Sequence, residues 1–572
     1  MRLKVTKTNS NTNYYAIIDV KLKNGKRTTK IYKRLGDEQE ILKISNGVPP
    51  LEWAQNQVVE LKKAYEEKTL KVVAEFSPTN QIAKDIQTSF NGGYLFLQDI
   101  YYSLGLDKIC KDISKKYRIK YDLNSVLSNL IYTRIIEPSS KLSAFEASKK
   151  FLEQPNFELQ NIYRALEVIA TETDSIESAV YKNSLNVVDR NTGILYYDCT
   201  NYFFEIEEAE GIKQYGKSKE NRPLPIVQMG LFMDGNGFPL AFFIDSGNTN
   251  EQVTIKPLEK QIIKDFELSK FVVCTDAGLA SRENRIFNNI QERSYIVTQS
   301  LKKIKGHLKD WALAKDGWHK LNSNELINLS DIDNSSSNDE IYYKERWINE
   351  NDLSQRLIIS YSPKYAAYQK NIRASQIQRA QKLIDNPTSV DKNRQNDPKR
   401  FVKATSVTSD GEIADKKVLT LNQSAIEEEA MFDGFYGVCT TLEDNISDII
   451  KINKRRWEIE ESFRLLKSDF KARPVYLKRD DRIKAHFTTC FLALLIYRIL
   501  EHKLDEKYTS CNIIQTLRNM NFKNIDGFGY IPTYTRTDLT DVLHEKFKFK
   551  TDTEIIPTNT MKKIIKETKN KK

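Results

Sequence analysis

Residues 194–205 read ILYYDCTNYFFE. Aromatic and aliphatic residues fill the stretch, and at Gly193 the upstream helical spacing gives way to a two-residue period. The segment reads as a buried strand on which Tyr196, Asp198 and Thr200 share one face. An ionised carboxylate in such surroundings is costly unless it is paired or metal-bound. Asp198 is therefore either a satisfied core carboxylate or part of a site.

Working outward, strand periods recur at 226–233 and 239–244, joined by the turn Asp234-Gly235-Asn236-Gly237. A helix over 251–266, a buried strand over 271–275 and a strand over 294–298 follow. Three strands in hairpin order, a helix and further strands predict an α/β fold with a mixed sheet covered by helices. Asp276 directly follows the buried strand FVVCT, at a strand's C-terminal end, where sites on open sheets collect. A turn or helix-cap role competes there.

Upstream, residues 1–40 alternate in the strand period around a hairpin signal at Asn24-Gly25-Lys26. Residues 50–190 carry helical spacing, clearest at 51–65, 126–136 and 140–152, with Pro138-Ser139-Ser140 as a break and cap. Downstream, regularity fails between 300 and 435. Polar loops at 331–338 and 385–398, short strands at 340–347, 356–360 and 417–421, and a basic helix at 365–384 read as an insertion. A strand at 434–440, one long helix over 446–470 and another over 482–502 follow. The Lys-rich last thirty residues read as a frayed end. The expected division is an N-terminal hairpin region (1–48), a helical region (49–190), a core in two parts (191–300 and 434–505) split by the insertion (301–433), and a basic C-terminal region (506–572).

Composition narrows the function. The 572 residues carry 88 Lys and Arg against 77 Asp and Glu, a net charge of +11. At 40% hydrophobic and 10% aromatic the chain is not wholly disordered. The apolar run 491–500, broken by Arg498, is read as shorter than the ~20 residues of a membrane span, and the first fifteen residues do not resemble a secretion signal. Six dispersed cysteines without a CxxC, and five histidines without ligand spacing, argue against zinc and for free thiols in the cytoplasm.

The positive charge is local. Residues 451–484 hold twelve Lys and Arg against six acids. Within RRWEIEESFRLLKSDF (455–470), helical geometry puts Arg456, Glu460, Phe463 and Lys467 within about 60° of one another. Glu458 and Glu461 are expected to face solvent. An amphipathic helix edged with ion pairs is the competing reading. Cations that neutralise phosphates, beside carboxylates that hold divalent metal, are what two-metal phosphodiester chemistry requires.

Together these motifs resemble the DDE transposases of bacterial insertion sequences, most closely the IS-four superfamily with its Tyr-Arg-Glu-Lys signature. Arg456, Glu460 and Lys467 keep the signature's spacing, and Asn453 stands at the tyrosine position. Asp198 in YYDCTNYFFE and Asp276 in VVCTDAGLASREN match the two aspartates. GKSKENRPLPIVQMGLFMDGNGFPL (216–240), GNTNE (247–251) and RPVYLKRDDRIKAHFTTCFLAL (473–494) are also family-like.

The resemblance implies an RNase H-like core in which Asp198, Asp276 and Glu460 bind two Mg²⁺ ions, with Mn²⁺ as the substitute. It implies hydrolysis at the element's end and transfer of the freed 3′-hydroxyl to target DNA. Arg456 and Lys467 would hold phosphates, with Arg464, Lys219 and Arg222 as further DNA-binding candidates; solvated loop charge competes for the last two. It implies terminal inverted repeats and target DNA as partners, no membrane, and a homodimer on paired ends. Trp311, Trp318 and Trp347 are candidates either for stacking on an extruded base or for core packing. A nuclease of the same fold without strand transfer, and an inactive DNA-binding relic, remain open on the sequence.

Overall fold

The computed structural model describes residues 1–8, 11–21, 27–68, 77–79, 81, 84–321, 323, 325–333, 338–350, 353–385, 398–407 and 416–571. The turn expected at 24–26, and most of the polar loops at 331–338 and 385–398, lie outside them.

The chain forms two compact units. The smaller comprises residues 1–88, 523–532 and 553–563. Its strands Arg2–Lys7, Thr12–Lys21 and Arg27–Asp37 pair antiparallel in sequence order. Asp37 then caps the helix Glu38–Ile44, accepting from the Gln39 and Glu40 N–H groups, while the Glu40 carboxylate returns to the Asp37 N–H. The helix Pro50–Lys68 follows, and Tyr14, Ile41 and Ala54 form the small core.

The larger unit is built on a ten-stranded sheet. Its strands are β1 (Ile194–Phe203), β2 (Ile226–Asp234), β3 (Pro239–Ser246), β4 (Val272–Thr275), β5 (Ser294–Gln299), β6 (Trp318–Lys320), β7 (Leu326–Ile327), β8 (Tyr342–Glu350), β9 (Leu353–Tyr361) and β10 (Phe435–Thr440). Their order is β7-β6-β8-β9-β10-β5-β4-β1-β2-β3. β1, β2 and β3 pair antiparallel, whereas β4 runs parallel to both β1 and β5. The resulting order 3-2-1-4-5 is the RNase H-like arrangement. Beyond β5 comes β10, at the strand expected over 434–440, and the region read as an irregular insertion continues the sheet from it through β9 and β8. Its long helix spans Pro363–Asp385, and its core gathers Leu301, Trp318, Leu357 and Ile359.

Strand alternation sorts β1. Leu195, Tyr197 and Cys199 join a core with Ile255, Leu258 and Ile262 of the helix α1 (Glu251–Asp265). Tyr196, Asp198 and Thr200 face the other way, where the Tyr196 hydroxyl donates to the Ile452 carbonyl at 2.9 Å.

The helix expected over 446–470 is instead three pieces: α2 (Ile446–Lys454), α3 (Trp457–Arg464) and a π-helical turn over Leu465–Asp469. The break falls at Arg455-Arg456, and Arg456 becomes the residue that opens α3. The final long helix, α4 (Asp480–Lys503), is long and apolar enough to cross a membrane by length and composition, contrary to the sequence reading. Its apolar window is 89% buried inside the protein, packed on the helices Leu123–Ile136 and Leu159–Thr171.

The end read as frayed is also ordered. Helices Asp538–Phe547 and Thr558–Lys569 close the chain, because Leu543, Phe547, Met561 and Ile564 supply buried anchors among the lysines.

Candidate active site

The parallel pairing of β1 with β4 sets Ile194 opposite Val272, Leu195 opposite Val273 and Tyr196 opposite Cys274. β4 ends at Thr275, and Asp276 follows in the turn just beyond it, where its charge bears on Asp198. Within β1, positions 195 to 203 are buried except Asp198, which keeps access to solvent. The strand thus opens at its acid.

Both carboxylates also serve the backbone. Asp198 Oδ1 accepts from the Cys199 N–H. Asp276 Oδ1 accepts from the N–H groups of Gly278 and Leu279, each at 3.0 Å. Asp276 is therefore the turn cap that the plain reading expected, and it also stands beside a second acid. The Asp198 carboxyl is pushed up to about 6. Burial dominates and the Asp276 charge adds to it, against Lys219, the Cys199 N–H and Arg456.

Arg456 is the hinge of the site. Its guanidinium interacts electrostatically with Asp198, Asp276 and Glu460, and its Nη1 lies 3.6 Å from Glu460 Oε1. Its Nε is buried without a hydrogen-bond partner. α3 packs on β1, yet the Glu460 side chain is 59% exposed and turned to Arg456. Among the described residues no three His, Cys, Asp or Glu side chains stand close enough to hold one metal ion together. Asp198 and Asp276 are brought together; Glu460 lies across Arg456 from them.

The other two glutamates of α3 do not face solvent freely, as the sequence had suggested. Glu458 is half-buried against Arg455 at 2.8 Å, and Glu461 lies between Arg464 at 3.1 Å and Arg498 at 3.5 Å. Arg455 and Arg464 are i,i+3 neighbours of these glutamates, whereas Arg498 comes from α4, which the local sequence does not foresee.

The expected cations divide. Lys219 donates to the Cys199 carbonyl and lies 3.3 Å from Glu251. Burial works against its charge, but Asp198 and Glu251 outweigh burial and raise its pKa. A solvated-loop role for Lys219 does not survive that placement. Lys467 lies 3.6 Å from Glu220 and over the Tyr202 ring. Arg222 stacks on Phe203 at 4.2 Å. Arg464 instead lines a separate cavity with Trp457, Arg498 and Glu501.

Sequence reasoning passed over Glu220, which gathers Lys467, Arg473 and Arg222. Its signal was its place within the quoted stretch 216–240. It also passed over Tyr436, whose hydroxyl accepts from Asn453 Nδ2 at 3.2 Å and pairs with Thr298 at 2.7 Å. Asn453 itself is buried. Trp318 is fully buried and donates to the Ala314 carbonyl, so it is a core residue. Trp347 is 49% exposed.

The donor set suits a hard divalent cation. Two neighbouring carboxylates offer oxygen ligands, and the Asp276 charge adds to the burial that lifts Asp198. A third carboxylate waits on the facing helix.

No curated protein matches the sequence. Among solved structures, the piggyBac transposase in a synaptic complex with hairpin DNA aligns with 84% of this chain and 85% of its own, at 8% identity and a TM-score of 0.37, too distant to carry an argument. The model of the transposase DDE domain matches residues 202–496, beginning just after Asp198 and including Asp276 and Glu460. That match spans more than half of the 572 residues, and the chain belongs to the transposase DDE domain family.

Proposed function

We propose that this protein is an insertion-sequence transposase of the IS-four type, cutting the element's ends and joining the 3′-hydroxyl to target DNA. The observation that carries the reading is the meeting of Asp198, on β1, and Asp276, just past the end of the neighbouring parallel strand β4, at Arg456, which also pairs with Glu460 on the helix packed against β1. Asp198 and Asp276 would hold Mg²⁺ or Mn²⁺, and Glu460 would join them by exchanging Arg456 for the metal. Bound there, the ions supply a water of lowered pKa and Lewis-acid stabilisation of the leaving oxygen.

The chain's own residues do the rest. Arg456, released from Glu460, neutralises a non-bridging phosphate oxygen as charge develops. Lys219 sits behind Asp198 and holds it ionised. Lys467, Arg473 and Arg222, gathered on Glu220, offer a cationic edge along which a DNA backbone can run. Arg464 faces another cavity and would meet DNA elsewhere. The 191–300 and 434–505 segments form the catalytic core in this reading, the 49–190 helices bind DNA, and the enzyme acts in the bacterial cytoplasm as a homodimer on paired ends.

The test uses the inverted repeats flanking the coding region as substrate, with Mg²⁺, and then a pre-cut end bearing a 3′-hydroxyl. Joined product is expected from both. Hydrolysis without joining would make the protein a nuclease, and Mg²⁺-indifferent binding without cleavage would make it a relic.

A further inference from the structure

Away from the carboxylates, the larger unit encloses a cavity of about 210 Å³ between the helices Leu123–Ile136 and Lys141–Ser148, the chain at 474–477 and the start of α4. Its polar lining is cationic or neutral; among the described residues no aspartate or glutamate borders it. Lys141 is 6% exposed and its Nζ has no hydrogen-bond partner. Arg134 is 4% exposed. Its Nη1 donates to the Phe470 and Lys471 carbonyls and its Nη2 to the Ser139 carbonyl, while its Nε is left without a partner. The Ser139 hydroxyl, also buried, is unpartnered.

Two further features have the same sign. The helix Lys141–Ser148 begins at the cavity, with Ser140 as its cap, so the positive end of its dipole adds to the field. His486 donates to or accepts nothing anionic there: its Nε2 lies 3.0 Å from the Ala472 carbonyl, and burial beside Lys141 and Arg134 keeps it neutral. Two buried cations without a countercharge are a costly arrangement, and the Lys141 ammonium is pulled down to about 7, first by burial and then by Arg134.

We propose that this cavity is an oxyanion site that takes a single phosphate group. Its volume falls below the ~300–1,000 Å³ of pockets for drug-sized ligands, which leaves room for a tetrahedral anion and a few waters but not for a nucleoside. The cavity shares Ser139, Ser140, Pro474 and Tyr476 with an adjoining groove of about 580 Å³ that carries Lys471 and Arg473. A phosphate on a DNA strand lying in that groove can therefore reach Lys141. Only this DNA source of the phosphate rests on the functional reading above; the anion site does not.

The test uses the full chain, melted in sodium phosphate and in sodium chloride at matched pH and ionic strength. A saturable rise of about 2–4 °C in phosphate is expected for the native protein, absent in Lys141→Met and partly restored in Lys141→Arg. No phosphate-specific rise in the native protein, or an equal rise in Lys141→Met, overturns the site. Should Lys141→Met fail to fold, Lys141→Gln and Ser139→Ala carry the same comparison.

Binding of a mixed-sequence DNA duplex at several salt concentrations then separates the sources. A salt slope smaller by about one in Lys141→Met assigns the anion to the DNA backbone. An unchanged slope in Lys141→Met, together with a phosphate rise seen only in the native protein, assigns it to a free phosphate ion. Neither arm requires cleavage, so a failed strand-transfer assay leaves this inference standing.

Discussion

Asp198 and Lys141 are both charges drawn into the protein, and their surroundings treat them differently. Around Asp198 the chain has placed Lys219 and Arg456 as countercharges, and the strand opens to solvent at that one position. Around Lys141 it has placed another cation and an unpartnered hydroxyl. The first site carries excess negative charge that its own cations moderate; the second carries positive charge that only backbone carbonyls meet, with no carboxylate among the described residues lining the cavity. Both are half-built in the same sense, each suited to a ligand of opposite sign, and the contrast with a fully paired charge is measurable.

The largest effect is expected at the carboxylates. Asp198→Asn, Asp276→Asn and Glu460→Gln should each lower Mg²⁺-dependent end cleavage by at least about a hundredfold, the scale of losing several kcal/mol of charge stabilisation. Glu460→Gln is the sharpest of the three. Its side chain is mostly exposed and meets only Arg456, so stability should stay within about 0.5 kcal/mol. Full activity in that variant would remove Glu460 from the site, leaving an aspartate pair alone.

Next comes the paired reference. Arg190 and Asp234 form an ion pair with both side chains 0% exposed. Asp234 also accepts from the Asn236 and Phe238 N–H groups at 3.0 Å, and Arg190 reaches the Ser184 hydroxyl and the Pro239 carbonyl. Asp234→Ala strands the guanidinium and should cost about 3–5 kcal/mol by denaturant melting. Lys141→Met, in chloride, should be neutral or stabilising. Equal losses in the two variants would mean that Lys141 has a partner within the protein after all, and the comparison would collapse.

A smaller, pH-dependent effect belongs to Glu259. It is 0% exposed, accepts from Asn288 at 2.9 Å through one oxygen, and leaves the other unpartnered. Burial lifts its carboxyl from 4.5 to about 7, against Asn288, Arg293 and Lys256. Between those values the folded state keeps a proton that the unfolded chain has released, so stability falls as pH rises through the window and levels off above it. The difference in unfolding free energy, from urea titration, between the native protein and Glu259→Gln should therefore move in the variant's favour from pH 5 to pH 8, by on the order of 2–3 kcal/mol. A difference that is flat with pH would show the carboxylate to be solvated.

Much of this was legible in the residues. The two-residue period of 194–205, and its repeats at 226–233, 239–244, 271–275 and 294–298, located the first five strands to within a residue or two. Burial on both faces leaves a pattern that few other arrangements produce. Strands at 340–347 and 356–360 were legible in the insertion, but not their place in the central sheet, because the pairing of β9 with β10 joins residues far apart in sequence. Nor was the break at Arg455-Arg456: both are good helix formers, and the kink follows from packing. The C-terminal helices were hidden because lysines mask their few anchors. At the site, strand ends and spacing pointed to Asp198 and Asp276, which the structure sets near one another, and to Glu460, which it sets against Arg456, but not to Glu220, which pairs with cations distant in sequence.

Tyr436 is the smallest effect and the finest test of that limit. The residue at 453 is an asparagine, so no phenol is available from α2 at that point. The structure brings one from β10: the Tyr436 hydroxyl meets Asn453 Nδ2 and Thr298 Oγ1, and it lies near enough to Arg456 to interact with the guanidinium. Tyr436→Phe removes one oxygen from that cluster and should lower stability by about 1 kcal/mol. If the hydroxyl only ties β10 to α2, cleavage by the folded variant should stay near the native rate. If it positions Arg456 over the aspartates, the rate should fall by about tenfold at unchanged DNA affinity, while Asn453→Asp, which keeps an acceptor but loses the donor, falls alongside it. A rate loss confined to one of the two variants would show that the cluster does not act through Arg456.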